Sequence, residues 1–422
     1  MKKIFLGLIL IASATNGFAQ TKADYDATVQ KFREYYNILQ TDSIYNMLSD
    51  RGKSMMTPEK TRETFKQMFG SLGKMESCEF TKAKDNIWLY KTVFTNLTMS
   101  LAVSLDSAHK LEVARFVSYK PDTEAAPSEE KSNIVLKTAT GDIYGSLLVP
   151  EGIKKMPVVM IIAGSGPTDR NGTVGSNMRT NTYLMIADSL EKAGIASLRY
   201  DKRGVAASRA AVRSEESLVF DDYINDAVGF IKMLKEDKRF SKIIILGHSE
   251  GSLTGMVAAN REPVDGYISV SGCAENIGKI LVKQYGAESE EMAKEAKIII
   301  DSLTKGYDVK DVPPTMYATF HHSVQPFMRS WFKYEPAQEI KKLKIPVLIV
   351  QGTHDIQVGT EQAEMLKKAY PHATLKMEKG VSHVLKQGPE ERTANFATYS
   401  NTKLPLDAGL AHDIIKFVKE VK

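Results

Sequence analysis

The stretch Lys242–Ser252, K-I-I-I-L-G-H-S-E-G-S, constrains this chain more than any other. Four aliphatic residues in a row, Ile243 to Leu246, predict a strand buried on both faces. Gly247-His248-Ser249-Glu250-Gly251 follows, and then Leu253, Met256, Val257 and Ala258 at helical spacing. Strand, sharp turn and helix in that order make G-x-S-x-G a nucleophile elbow, with the serine on a strained corner. Such a corner has no room for side chains two positions before and after the serine, and both positions are glycine. The turn lifts the Ser249 hydroxyl above a sheet, while the helix start aims free backbone N–H groups at the same space.

The chain around this corner divides in two. Between residues 24 and 72, Tyr25, Val29, Phe32, Tyr36 and Leu39 recur at three- and four-residue steps, which predicts helices. From Met75 to Tyr119 the pattern changes to short strands, read at Ile87–Tyr90, Leu97–Leu105 and Leu111–Val117. Residues 21–120 are therefore expected to form a small α+β domain, and the polar, proline-bearing residues 121–132 a linker. From 133 to 422 strands and helices alternate, which predicts a mostly parallel sheet covered on both faces. Ile134–Thr138 and Ile143–Val149 read as an edge hairpin, and Val158–Ala163, Ile195–Arg199, Gly266–Ser271, Pro346–Val350 and Thr374–Met377 as further strands. Residues 275–341, rich in Lys and Glu with aromatics at Phe320, Phe327, Trp331 and Phe332, interrupt the alternation as a helical lid would.

Composition is that of a globular protein, 43% hydrophobic and 25% charged. Met1-Lys2-Lys3, the apolar run Ile4–Ala12 and the small residues Gly17 and Ala19 predict a cleaved signal peptide over 1–20. The run is too short to span a membrane, and no cysteine follows it to carry a lipid anchor. The mature chain is thus expected to be exported, periplasmic or secreted. Its formal charge, +5 less Lys2 and Lys3, is too mild and too mixed in sign to argue for nucleic acid. The two cysteines, Cys78 and Cys273, fall in different predicted domains, and no Cys/His spacing suggests a metal.

A serine hydroxyl needs a general base, itself oriented by a carboxylate. Asp355, in Q-G-T-H-D-I-Q-V past the strand Pro346–Val350, and His383, in K-G-V-S-H-V-L past the last strand, supply both in the chain order this elbow requires. His248, His321, His322, His354, His109, His372 and His412 have no comparable strand-end placement. An oxyanion would need two backbone donors. One is the N–H of Glu250. The other is expected from A-G-S-G-P-T-D-R-N-G after Val158–Ala163, where Gly164 and Gly166 flank Ser165, whose N–H is the choice. Gly164, Gly166, His248, Phe327 and Trp331 are candidates to line a substrate pocket.

Taken together, G-H-S-E-G-S, G-S-G-P-T-D-R-N-G, L-R-Y-D-K-R-G-V, G-T-H-D-I-Q-V and S-H-V-L resemble the α/β-hydrolase fold over residues 133–422. More closely they resemble secreted bacterial carboxylesterases with a G-S-G-P-x-D-R-[DN]-G loop, relatives of the serine aminopeptidase group. In that family an amino-terminal α+β domain commonly precedes the hydrolase. The resemblance implies hydrolysis of small, short-acyl esters through an acyl-enzyme without a cofactor. It also implies that Asp169-Arg170 and Asp201-Arg203 are structural or pocket-lining, ion-paired near the floor of the site. Residues 204–208 read G-V-A-A-S where a second glycine is usual, which puts the shape of that loop in question. Two other readings stand beside the esterase: an aminopeptidase or acyl-peptidase on the same triad, with Glu250, Glu275 or Glu335 holding a substrate amino terminus, and a non-catalytic binding protein.

Overall fold

The computed structural model describes residues 21–422 apart from 85, 96–97, 119–132, 175–177, 288 and 314. The expected signal peptide and linker lie outside these residues. The chain divides into two compact units, before and after residue 126.

The first unit opens with α1 (Lys22–Asn37), capped reciprocally by Thr21 and Asp24. Its buried stripe is Tyr25, Val29, Phe32 and Tyr36. The short α2 (Thr41–Asn46) and α3 (Asp50–Met55) lead to α4 (Pro58–Leu72), whose proline stands in the first turn. Four strands follow as an antiparallel meander: β1 (Met75–Lys84), β2 (Ile87–Phe94), β3 (Thr98–Leu105) and β4 (Leu111–Ser118). The sequence reading named three of them. It missed β1, whose register shifts twice against β2 and so breaks the two-residue alternation that marks a strand. Phe32, Tyr36, Phe65 and Phe94 form an edge-to-face aromatic core between the helices and this sheet.

In the second unit the edge hairpin β5 (Ile134–Thr138) and β6 (Gly141–Leu148) precedes β7 (Met156–Ile162). The two-residue strands β8 (Thr173–Val174) and β9 (Met178–Arg179) lie between β7 and α5 (Thr182–Lys192). Then come β10 (Ala196–Tyr200), α6 (Phe220–Glu236), β11 (Phe240–His248), α7 (Glu250–Arg261) and β12 (Gly266–Val270). Five helices, α8 (Ile277–Gly286), α9 (Glu290–Thr304), α10 (Tyr317–Phe320), α11 (Gln325–Trp331) and α12 (Pro336–Lys342), fill the interval before β13 (Val347–Gly352), where the lid is expected. The unit closes with α13 (Thr360–Ala369), β14 (Thr374–Glu378), α14 (Arg392–Ala397) and α15 (Ala408–Glu420). Among the described residues no helix is long and apolar enough to cross a membrane.

The eight-stranded sheet runs β14-β13-β12-β11-β7-β10-β6-β5, parallel from β14 to β10, with β6 and β5 antiparallel at one edge. This is the α/β-hydrolase fold. Alternate residues of the central strands feed two cores. Val158, Met160, Ile162, Ile243 and Ile245 pack with α6 and α7, whereas Val159, Ile161, Ile244 and Leu246 pack with α5 and α15. That two-sided demand is why these strands are continuous aliphatic runs. Each buried branched side chain contributes about 1.5–3 kcal/mol. Trp331 of α11 stacks on Phe220 of α6 with ring centres 5.4 Å apart. Ala206, in the loop lacking the usual second glycine, has φ +42°, so the loop keeps a left-handed corner on an alanine.

Candidate active site

The corner after β11 obeys the steric argument for it. Ser249 has φ +54° and ψ −119°, and its N–H donates to Val270 O of β12 at 2.9 Å. A Cβ at Gly247 would stand 2.2 Å from Gly251 O, and one at Gly251 would stand 2.3 Å from Ile162 O. Neither position accepts any other residue without moving backbone.

Asp355 and His383 come together from the loops that follow the neighbouring parallel strands β13 and β14. His383 lies on a tight loop in which Ser382 N–H donates to Lys386 O and Leu385 takes φ +62°. His383 Nδ1–H donates to Asp355 Oδ2 at 2.8 Å. The same oxygen accepts Gln351 Nε2 at 3.1 Å, and Oδ1 accepts the N–H groups of Gln357 and Val358, each at 2.9 Å. Burial pushes the Asp355 carboxyl up, but the His383 charge, its hydrogen bond and the two N–H donors outweigh it and hold the group below the usual carboxylate range. With Nδ1 committed to the carboxylate, Nε2 is left as the basic nitrogen. The His383 ring lies 4.8 Å from that of His248, the neighbour of Ser249. Among the described residues Ser249 Oγ has no hydrogen bond, and bonds of this kind commonly tighten only when substrate is present.

His248 is fully engaged elsewhere. Its Nε2 faces His383 O at 2.9 Å, and a carbonyl only accepts, so Nε2 carries the hydrogen. Nδ1 then accepts from Tyr183 OH at 2.8 Å, and that hydroxyl accepts Gly164 N–H at 2.9 Å. Burial, with the nearby His383 charge, pushes the imidazole down to about 3, so it is neutral. A continuous chain of hydrogen bonds thus ties the loop after β7 to the elbow and to the His383 loop.

A cavity of about 560 Å³ opens over the corner. Ser165, Gly166, Ser249, Glu250 and Leu253 line its floor, and Ile277 and Ile280 of α8 with Phe327, Met328 and Trp331 of α11 line another side. Of the five pocket candidates, Gly166, Phe327 and Trp331 line it and Gly164 and His248 do not. A Cβ at Gly164 would stand 3.2 Å from His248 Nδ1 and 3.3 Å from Ser249 Cβ, so a larger residue there would press on the corner. His248 turns its ring to Tyr183 and away from the cavity. His321 and His322 also lie off the lining, and His321 instead meets Glu215 at 2.9 Å. Cys273 lines the cavity, and both cysteines are free thiols.

Of Asp169, Arg170, Asp201 and Arg203, three are ion-paired. Arg170 pairs with Asp201 at 2.6 Å, and Arg203 pairs with Asp226. Asp169 instead accepts the N–H groups of Asn171 and Thr173, each at 2.8 Å, closing its own loop. Sequence reasoning missed Gln351, Tyr183, Lys202 and Asp226. Gln351 alone had a signal, its place at the end of the strand that delivers Asp355. The three carboxylates considered for holding an amino terminus are otherwise occupied or remote. Glu250 pairs with Lys202 at 3.1 Å, Glu275 pairs with Lys283 and accepts Gln362 Nε2 at 2.7 Å, and Glu335 precedes α12 outside the cavity lining.

The profile of a family described as serine aminopeptidase, S33, matches residues 173–298. Esterase EstD of Thermotoga maritima is 26% identical over 338 residues, spanning 78% of this chain and 79% of that protein. Among solved structures, Est1E of Butyrivibrio proteoclasticus with ferulic acid bound is similar at 17% identity, covering 68% of this chain and 98% of that one with a TM-score of 0.47. An esterase of Pyrococcus furiosus is similar at 17% identity, 69% and 90% coverage and a TM-score of 0.45.

Proposed function

We propose that this chain is a serine carboxylesterase that hydrolyses small esters through an acyl-enzyme. The observation that carries the reading is the His383–Asp355 pair at 2.8 Å beside a serine held at φ +54° over a cavity. The similarity to esterase EstD supports the same chemistry. Ser249 Oγ attacks the ester carbonyl carbon while His383 Nε2 takes its proton. The tetrahedral oxyanion is held by the N–H groups of Ser165 and Glu250. Among the described residues neither N–H donates to a protein acceptor. His383 then protonates the departing alkoxide, which leaves as alcohol. Water, deprotonated by the same nitrogen, attacks the acyl-enzyme and releases the acid and free Ser249.

The engagement of Glu250 and Glu275 in ion pairs favours an ester over a substrate with a charged amino terminus, which would need an unpaired carboxylate. The decisive assay pairs p-nitrophenyl acyl esters of increasing chain length with aminoacyl-p-nitroanilides on the mature protein and Ser249→Ala. Ester turnover that falls with chain length and is lost by several orders of magnitude in the variant is expected. Dominant anilide turnover, or ester turnover unchanged in Ser249→Ala, overturns the reading. We also propose export with cleavage near residue 20, which the amino-terminal sequence of the protein recovered from cells would test.

A further inference from the structure

Lys202 is buried, 3% of its side chain exposed, at the end of β10. Its ammonium donates to Gly164 O at 2.5 Å and to Glu250 Oε1 at 3.1 Å, and lies 5.0 Å from the Tyr223 ring centre. Both acceptors belong to the two segments that present N–H groups to Ser249. Gly164 O is the carbonyl end of the peptide group whose other end is the Ser165 N–H. A trans peptide is planar, with its C=O and N–H antiparallel. An ammonium that fixes the direction of the carbonyl therefore fixes the direction of the N–H. Tyr183 OH accepts the preceding N–H, that of Gly164, so this glycine is held on both sides. Gly166 next in line has φ +76°, and without such grips a loop of this composition has ready access to a flipped peptide that would turn a carbonyl toward the substrate.

We infer that Lys202 is the positioning residue of the oxyanion hole: one ammonium locks the Gly164–Ser165 peptide with its N–H facing the reacting carbonyl and anchors Glu250, the source of the second donor. This rests on the esterase reading. A hydrogen bond to a cation also polarises the peptide and strengthens the donor at its far end. The lysine touches no substrate atom. Its positive charge stands behind the peptide, balanced by Glu250, so the site gains a directed donor without a net charge that would bind a substrate's ground state.

The test uses the mature protein and three variants, Lys202→Met, Glu250→Gln and the double variant, each measured for kcat, KM, Tm and binding of an aryl trifluoromethyl ketone. That probe adds Ser249 Oγ and places a full oxyanion in the hole. Lys202→Met is expected to lower kcat about 10²-fold, the scale of one lost oxyanion donor. KM should stay within about threefold, and ketone affinity should fall in step with kcat. Lys202→Met leaves the Glu250 carboxylate buried and unpaired and is expected to melt lower. The double variant removes that charge, so its Tm recovers while its kcat does not. A double variant that regains both Tm and kcat would show a structural role only and overturn the inference, as would Lys202→Met with wild-type kcat. Wild-type protein that neither hydrolyses esters nor binds the ketone overturns the esterase reading itself, an outcome separate from both.

Discussion

Replacing Gly251 by alanine tests whether the corner, and not the serine alone, sets the chemistry. The added Cβ would stand 2.3 Å from Ile162 O and 2.6 Å from Ala163 O, both backbone atoms at the end of β7. Ordinary contact begins near 3.4 Å. The start of α7 must therefore retreat from β7 by about 1 Å, or the β7 end must give way. Overpacking of this kind costs about 1–3 kcal/mol. In a unit of this size each kcal/mol moves Tm by about 2–4 °C, so a fall of roughly 2–12 °C is expected. The retreat carries Ser249 and the Glu250 N–H away from the Ser165 loop, which belongs to the β7 side. A misplacement of ~1 Å costs on the order of 10²-fold in rate. The assay is kcat for a p-nitrophenyl ester with Tm measured on the same preparations. Gly286→Ala serves as the comparison. Its Cβ would meet only Ala293 Cβ at 3.5 Å in the last turn of α8, so it should keep wild-type kcat and melt no lower. Wild-type kcat and Tm in Gly251→Ala would refute the steric account of the elbow.

Three further outcomes follow from particular contacts. Gln351→Leu removes a donor to a charged oxygen, worth about 1.5–3 kcal/mol, while leaving two N–H donors on the other oxygen of Asp355; kcat should fall on the order of 10-fold with KM little changed. Ala206→Gly relieves a left-handed alanine that costs about 1–2 kcal/mol and gives back about 0.5–1 in chain entropy, so Tm measured by calorimetry should rise by ~1–3 °C. Burial pushes the Lys386 ammonium down to about 8. Below that pH the folded state bears a buried charge, and between about 8 and 10.4 the unfolded chain alone keeps the proton, so stability rises with pH across that window. Lys386→Met should accordingly melt higher than wild type at pH 7, with the gain shrinking from pH 8 to 10.

The parts legible in the sequence are those whose cause is local. Gly247 and Gly251 announce the elbow because the clash they avoid involves backbone within four residues and the end of one neighbouring strand. Ile243 to Leu246 announce a central strand because both of its faces are covered. Asp355 and His383 are readable because the fold delivers them at strand ends in a fixed order. Lys202 was hidden because its role depends on Gly164 and Glu250, 38 and 48 residues away, and a lysine between two other charged residues reads as surface. Tyr183 looked like one more apolar residue of α5, yet its hydroxyl joins Gly164, 19 residues before it, to His248, 65 residues after it. The pairings Arg170–Asp201 and Arg203–Asp226 likewise depend on which loops the sheet brings together. His248 was misplaced because a histidine beside a nucleophile suggests the cavity, whereas the strand direction sends its ring behind the corner. Helix α14 was not anticipated, since R-T-A-N-F-A has no apolar periodicity; Asn395 fastens it by donating to His354 O and Pro389 O at 2.8 and 2.7 Å.

The central claim is that Ser249 carries the acyl group. Intact mass spectrometry of protein quenched in acid during turnover of p-nitrophenyl butyrate, followed by peptide mapping, tests it most directly. One butyryl group on the peptide holding Ser249, absent from Ser249→Ala, is the predicted result. Steady turnover with no adduct on that peptide, or an adduct on another residue that persists in Ser249→Ala, would contradict it.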